Sequence, residues 1–327
     1  MWPAKNAWFH QCCVSKSGAL YAMLSVPASP ARIKFWGTRG SISVPGKRTL
    51  RYGGNTTCLE VRADDEIIVI DAGSGIRSLG NALEKEFQSQ PIKLTLLITH
   101  AHWDHIQGFP FFAPAYEKKN EIHVRGYDGV DMSFGKIMAE PMRYPFFPIA
   151  MRELSAKIDI KKLSEMEFSV GKVQVRARFV NHPGVCAGYR VFTSAGSIAF
   201  LPDHEPYSFL HAAKPHDLAP EQAKKTGEEE RAGLVDFLQD ADILILDSQY
   251  TDAEYEKHVG WGHGSISSVV SLALDARVRK LLLFHHDPSH DDVMLDGILA
   301  DARQLVRKKG KHLEVDAARE GEEVSLK

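Results

Sequence analysis

The chain is poor in cysteine, has no excess of basic charge and lacks an apolar run of membrane-spanning length. Each absence excludes something. Its four cysteines, Cys12, Cys13, Cys58 and Cys186, are irregularly spaced, and no C-x-x-C pair occurs. That argues against a disulfide scaffold or a thiolate zinc site and for a reduced, cytoplasmic compartment. Lys and Arg number 40 against 42 Asp and Glu, a formal net charge of −2, so no global field draws the protein onto nucleic acid. A small anionic substrate would need only a local positive site. The mixed run Lys224, Lys225, Glu228, Glu229, Glu230 reads as a solvated face. Without a run of about twenty apolar residues, no membrane span is expected. Residues 1–30 have Lys5 and Lys16 but no clean apolar h-region, a poor signal peptide. They read as a presequence, a disordered extension, or the product of an upstream start with Met23 as the true one.

What is present, from Arg32 onward, is a series of short apolar runs bounded by Gly, Pro and Asp. These predict strands at 33–37, 57–62, 66–71, 94–99, 121–126, 172–180, 189–194, 197–202, 242–247 and 281–286. Helical periodicity appears at 75–88, 105–117, 231–239, 251–258, 264–276 and 290–309. Early strands cluster and later ones alternate with helices, which predicts an α/β fold of sheets covered by helices. No linker divides residues 31–327, so one domain is expected. Segment 127–165 is irregular and contains EPMRYPFFPIAM. It reads either as a surface loop packed on the core or as a lid shaped by Tyr144, Phe146 and Phe147.

The central signal is THAHWDH at 99–105, directly after the strand LTLLIT. A loop leaving a strand end can aim alternate side chains the same way, so His100 and His102 suit one metal. Asp104 and His105, a step further on, can turn to a second. Imidazole plus carboxylate suits zinc. A two-metal site needs more donors at other strand ends, and three stand where expected. His182 follows KVQVRARFV, Asp203 follows SIAFL and His285 follows KLLLF. Singly, each has an ordinary reading, as turn residue, helix cap or buried polar group. Together, in this order, they do not.

The order Asp71, HAHWDH, His182, Asp203, His285 resembles the motif set of the metallo-β-lactamase superfamily, over nearly all of the chain from about Arg32. The resemblance implies an αββα sandwich, two mixed sheets flanked by helices, with two divalent ions at one edge. Zinc is the first choice, with manganese or iron accepting the same donors. It implies that His100, His102 and His182 bind the first ion and Asp104, His105 and His285 the second. Asp203 would bridge them together with a hydroxide, and Asp104 could also orient that hydroxide. His285 is preferred to neighbouring His286 because it comes first after the strand. Asp71 would support the ligand loop, and His204 has no assigned role.

The resemblance also narrows the branch. A carboxylate at 203, where some true β-lactamases carry cysteine, and His102, where di-iron redox relatives carry glutamate, favour hydrolysis. LILDSQYTDAEYEKHVGWGHGSISSVVSLALDA and KFWGTRGSISVPG resemble ribonuclease Z and its phosphodiesterase relatives. There an acidic residue pairs with a histidine that opens a helix, here Asp247 and His263, and the imidazolium would stabilise or protonate a leaving oxygen. Arg39 reads as either a phosphate contact or a surface salt bridge. No Gly- and Pro-rich basic arm of the kind that grips tRNA is found. The expectation is therefore a hydrolase of a small or cyclic phosphodiester, without strong nucleic-acid binding and, by family analogy, dimeric. A lactonase or thioesterase on the same metals, or a tRNA 3′-processing endoribonuclease, is the alternative. Segment 204–230 carries no motif that can be interpreted.

Overall fold

The computed structural model describes residues 31–210 and 219–326. Residues 1–30, with Cys12 and Cys13, lie outside them. The chain opens with three antiparallel strands, β1 (Arg32–Gly37), β2 (Cys58–Ala63) and β3 (Glu66–Ile70). Helix α1 (Ile76–Phe87) then leads to β4 (Lys93–Leu97), and the short α2 (Trp103–Ile106) leads to β5 (Glu121–Gly126). Helix α3 (Phe134–Ala139) precedes β6 (Lys157–Lys162). Strands β7 (Glu167–Val170), β8 (Val173–Phe179), β9 (Ala187–Thr193) and β10 (Gly196–Leu201) form a meander. The remainder alternates: α4 (Pro220–Leu238), β11 (Ile243–Asp247), α5 (Asp252–Tyr255), α6 (Ile266–Asp275), β12 (Lys280–Phe284), α7 (Asp292–Lys308), β13 (Glu314–Ala317) and β14 (Glu323–Ser325).

Two seven-stranded mixed sheets result, ordered β14-β1-β2-β3-β4-β5-β6 and β13-β12-β11-β10-β9-β8-β7. Phe35, Tyr189, Phe200 and Phe284 lie in the core between the sheets. A second core packs α1 and α3 on the first sheet, and a third packs α4, α6 and α7 on the other. The layers are therefore helix, sheet, sheet, helix, as expected. The parallel strands β4, β11 and β12 read KLTLL, ILILD and KLLLF because both their faces are covered. Strand β8, VQVRARF, alternates buried and exposed over its first five residues because one face meets solvent. Among the described residues no helix is long and apolar enough to cross a membrane.

Several elements differ from expectation. The helix expected at 105–117 stops at Ile106 and gives way to two 3-10 turns, because Pro110 and Pro114 interrupt it. Helix α4 starts at Pro220 rather than 231. Its first half is almost entirely exposed, so it shows no apolar period. Strands β6, β7, β13 and β14 were not anticipated; β6 (KIDIKK) and β14 are edge strands with little fully buried surface. Segment 127–165 holds α3 and β6, with Phe134, Ile137, Met138 and Met142 in the core. Tyr144 and Phe146 project, 84% and 77% exposed, while the Phe147 ring meets Phe111.

Candidate metal centre

The register of the sheets gathers the chemistry at one edge. Ile70 pairs with Leu97, so Asp71 sits beside the start of the HAHWDH loop and donates its amide to the Leu97 carbonyl at 2.8 Å. Asp247, the last residue of β11, pairs with Phe284, one residue before His285. His182 and Asp203 leave the ends of β8 and β10. This crevice beyond the carboxyl ends of strands is where α/β sheets place their ligands.

The structure groups the candidates as the motif order implies. Potential ligand atoms of His100, His102, His182 and Asp203 lie within 4.8 Å of one another, as do those of Asp104, His105 and His285. Asp203 stands between the sets. Its Oδ2 faces His100 Nε2 at 3.6 Å and His182 Nε2 at 3.5 Å, and its Oδ1 faces His105 Nε2 at 3.2 Å and His285 Nε2 at 3.3 Å. His102 Nδ1 lies 3.0 Å from His182 Nε2. His286 points elsewhere: its Nε2 bonds the Ala318 carbonyl at 2.9 Å.

Four of the ligand-type side chains are braced from behind. Asp71 accepts the Thr99 amide at 2.8 Å and holds His105 Nδ1 at 2.7 Å, turning His105 Nε2 inward. Gln249 Oε1 lies 3.0 Å from His285 Nδ1. Asp104 accepts the Ser41 amide at 2.7 Å. A Cβ on Gly40 would lie 2.4 Å from the His285 ring, so only glycine lets this loop close on the imidazole. His182 Nδ1 donates to the Gly262 carbonyl at 2.8 Å. These outer bonds select the tautomer and aim of each ring.

Charge is arranged to match. Burial pushes the His182 imidazole down to about 3 and the His100 imidazole well below its usual range. Burial opposes a proton on His105 too, but the Asp104, Asp203 and Asp71 carboxylates outweigh it and raise its pKa well above the ordinary value. Burial also works against the Asp203 charge, yet the surrounding imidazoles, His285 foremost, hold its pKa well below the carboxylate range.

His263 stacks on His285 with ring centroids 5.0 Å apart, and its Nδ1 lies 2.9 Å from Asp247 Oδ2. Burial disfavours its charge, but Asp247 overrides that and lifts its pKa to about 9. His263 also falls in a ligand-like group with Asp203 and His285. The His263 atom facing Asp203 is Nδ1, 3.9 Å from Oδ2, and Asp247 already holds it, which sets this ring apart from the two ligand-like sets. Asp247 additionally accepts the amides of His204 and Gly264, at 3.0 and 3.3 Å.

Arg39 corrects both expectations for it. It is wholly buried and donates to the carbonyls of Gly53, Asp287 and His290, tying the strand-β1 turn to the loop after β12. Burial lowers its pKa. The residues not anticipated are Gln249, Glu205 and the Ser41 amide. Gln249 lies two residues beyond Asp247 and Glu205 two residues beyond Asp203, but their partners are distant in sequence, so nothing local marked them. A backbone amide leaves no signal either.

The donor set fits divalent cations. His100 Nε2, His105 Nε2 and Asp203 Oδ1 are buried in the cluster without hydrogen-bond partners. Such atoms are costly unless something else coordinates them.

Comparison with known proteins agrees. Residues 66–286 match the family described as the beta-lactamase superfamily domain. Ribonuclease Z of Thermoplasma acidophilum is 24% identical over 308 residues, covering 85% of this chain and 92% of that protein. The metallo-beta-lactamase fold protein YhfI of Bacillus subtilis superimposes with TM-score 0.63 at 15% identity, over 90% of this chain and 100% of that one. Unliganded yeast PDE1 gives 0.62 at 15% identity, over 91% and 99%.

Proposed function

The chain belongs to the beta-lactamase superfamily, whose fold it shares, and is a metal-dependent hydrolase; from that premise we propose that it is a dinuclear phosphodiesterase acting on a small or cyclic phosphodiester. The observation that carries this is Asp203, with one carboxylate oxygen toward each histidine-rich set. His100, His102 and His182 would hold one cation, Asp104, His105 and His285 the other, and Asp203 both. Nitrogen and carboxylate donors suit zinc, with manganese or iron as alternatives. Bound there, two cations lower the pKa of water toward neutrality and offset charge on the scissile group.

The chain's own residues do the rest. Asp71, Gln249 and the Ser41 amide fix the ligand rings and carboxylate, so the site is pre-formed. His263, charged through Asp247, would donate a proton to the departing oxygen, a role typically worth about 10²–10⁴ in rate. A phosphodiester with an alkoxide leaving group needs such an acid because that alkoxide is basic; a thioester, which expels a thiolate, needs it less. The slightly acidic chain without a basic arm favours a small substrate.

The relative named ribonuclease Z favours a second reading, an endonuclease of precursor tRNA. One panel separates them: bis-p-nitrophenyl phosphate, cyclic nucleotides, precursor tRNA, lactones and thioesters, with metal-reconstituted wild type and His263→Ala. Turnover of cyclic nucleotides, whose leaving group is a basic alkoxide, should fall about 10²-fold or more in His263→Ala, and that of bis-p-nitrophenyl phosphate much less, because nitrophenolate leaves without a proton. Full cyclic-nucleotide turnover by that variant removes the leaving-group role. Cleavage of tRNA alone removes the small-substrate reading.

A further inference from the structure

We propose that Glu205 is a positioning residue for the cation of His100, His102 and His182, acting through Gly262; this rests on the two-cation reading above. Glu205 lies two residues beyond Asp203 and is completely buried. Its carboxylate accepts the Gly260 amide at 2.7 Å, the Gly262 amide at 2.9 Å and the Tyr255 hydroxyl at 2.9 Å. The carbonyl of the same Gly262 accepts His182 Nδ1–H at 2.8 Å. A carboxylate thus fixes a glycine, and the glycine fixes the tautomer that leaves His182 Nε2 turned toward Asp203 and His102.

The glycine is needed and insufficient. Gly262 has φ +93°, and a Cβ there would lie 2.3 Å from His182 Nδ1. Only glycine lets the backbone approach the ring this closely, yet glycine supplies no stiffness of its own. Two hydrogen bonds to a buried carboxylate supply it, and such charge-assisted bonds are roughly twice as strong as neutral ones. Asp247 does the same at the other end of the loop, taking the Gly264 amide and His263. Residues 260–264 are strung between two buried carboxylates, one serving a ligand and the other the acid.

A plain structural anchor would loosen the whole fold and weaken both ions alike. A positioning residue weakens one. The test uses full-length protein stripped of metal, with zinc titrated against a chromophoric chelator. Glu205→Gln keeps the volume but presents an amide NH₂ where backbone N–H groups point. One of two zinc affinities should fall about 10–100-fold, the usual cost of losing an outer-shell partner, while the other is unchanged. Tyr255→Phe, which leaves both glycine amides on Glu205, should retain both affinities. A folded Glu205→Gln with both affinities intact, or with both equally reduced, overturns the proposal. Should that variant not fold, nitrogen-15 spectra of wild-type zinc protein decide: a slowly exchanging proton on His182 Nδ1 with metal on Nε2 is expected. Metal on Nδ1, or a freely exchanging Nδ1 proton, overturns it. Wild type that binds no zinc would instead fell the two-cation reading, and this inference with it.

Discussion

On one side of Asp203, the side chains of Asp104, His105 and His285 are enclosed, and each is braced by a group from another strand end. On the other side His102 stands exposed, and His182 is braced through a glycine loop. The enclosed set faces three carboxylates, Asp71, Asp104 and Asp203, that raise the affinity of His105 for a proton. In the open set, burial lowers the pKa of the His100 imidazole and brings that of His182 down to about 3. The contrast teaches that one fold edge can offer a deep, carboxylate-rich seat beside an imidazole-rich one that is shallow only where His102 meets solvent. The deep seat should hold its ion tightly, and the shallow one should exchange its ion and meet the substrate.

Removing what the two seats share should have the largest effect. Asp203→Ala should lose both ions, each by more than the roughly 10–100-fold that an outer partner costs, as measured by metal content after dialysis. Loss of one ion alone would mean that the carboxylate belongs to one seat, and the comparison would collapse. The next effect separates the seats directly. In metal-free protein, His105→Ala leaves three buried carboxylates without their imidazolium. It should cost about 3–5 kcal/mol in denaturant unfolding. His102→Ala, at an exposed position, should stay within about 0.5 kcal/mol. Equal costs would erase the distinction between enclosed and open.

That contrast could not be read in the sequence, although most of the cluster could. Six of the seven ligand-type residues were legible because they follow apolar runs such as LTLLIT, SIAFL or KLLLF, while His182 follows the alternating strand VQVRARF. Parallel strands covered on both faces print themselves as such runs. Edge strand KIDIKK prints almost nothing, and the exposed first half of α4 has no apolar period to detect. At 105–117 the helical spacing misled because Pro110 and Pro114 override it. The braces were hidden for a different reason. Glu205 bonds amides 55 and 57 residues away and Gln249 bonds a ring 36 residues away, so no local pattern records them. By residue type alone Arg39 reads as either a phosphate contact or a surface salt bridge, and its burial decides against both.

The smallest effect should come from a brace of the deep seat that is neutral. Gln249 accepts from His285 Nδ1 and donates through Nε2 to Tyr250 Oη and Asp287, both at 3.2 Å. Its loss removes one uncharged hydrogen bond to the ring, worth about 0.5–1.5 kcal/mol net. The ring stays caged, because the Gly40 backbone comes close to its Nδ1 and Cε1 atoms and the His263 ring stacks on it at 5.0 Å. Gln249→Leu should therefore weaken the tighter zinc site only about threefold to tenfold, near the low end for an outer partner, and leave the weaker site alone. Zinc titration of the metal-free variant reads both at once. A larger loss, or one falling on the weaker site, would show that enclosure by neighbours does less for His285 than this single amide, and that the deep seat owes its hold to hydrogen bonding rather than to packing.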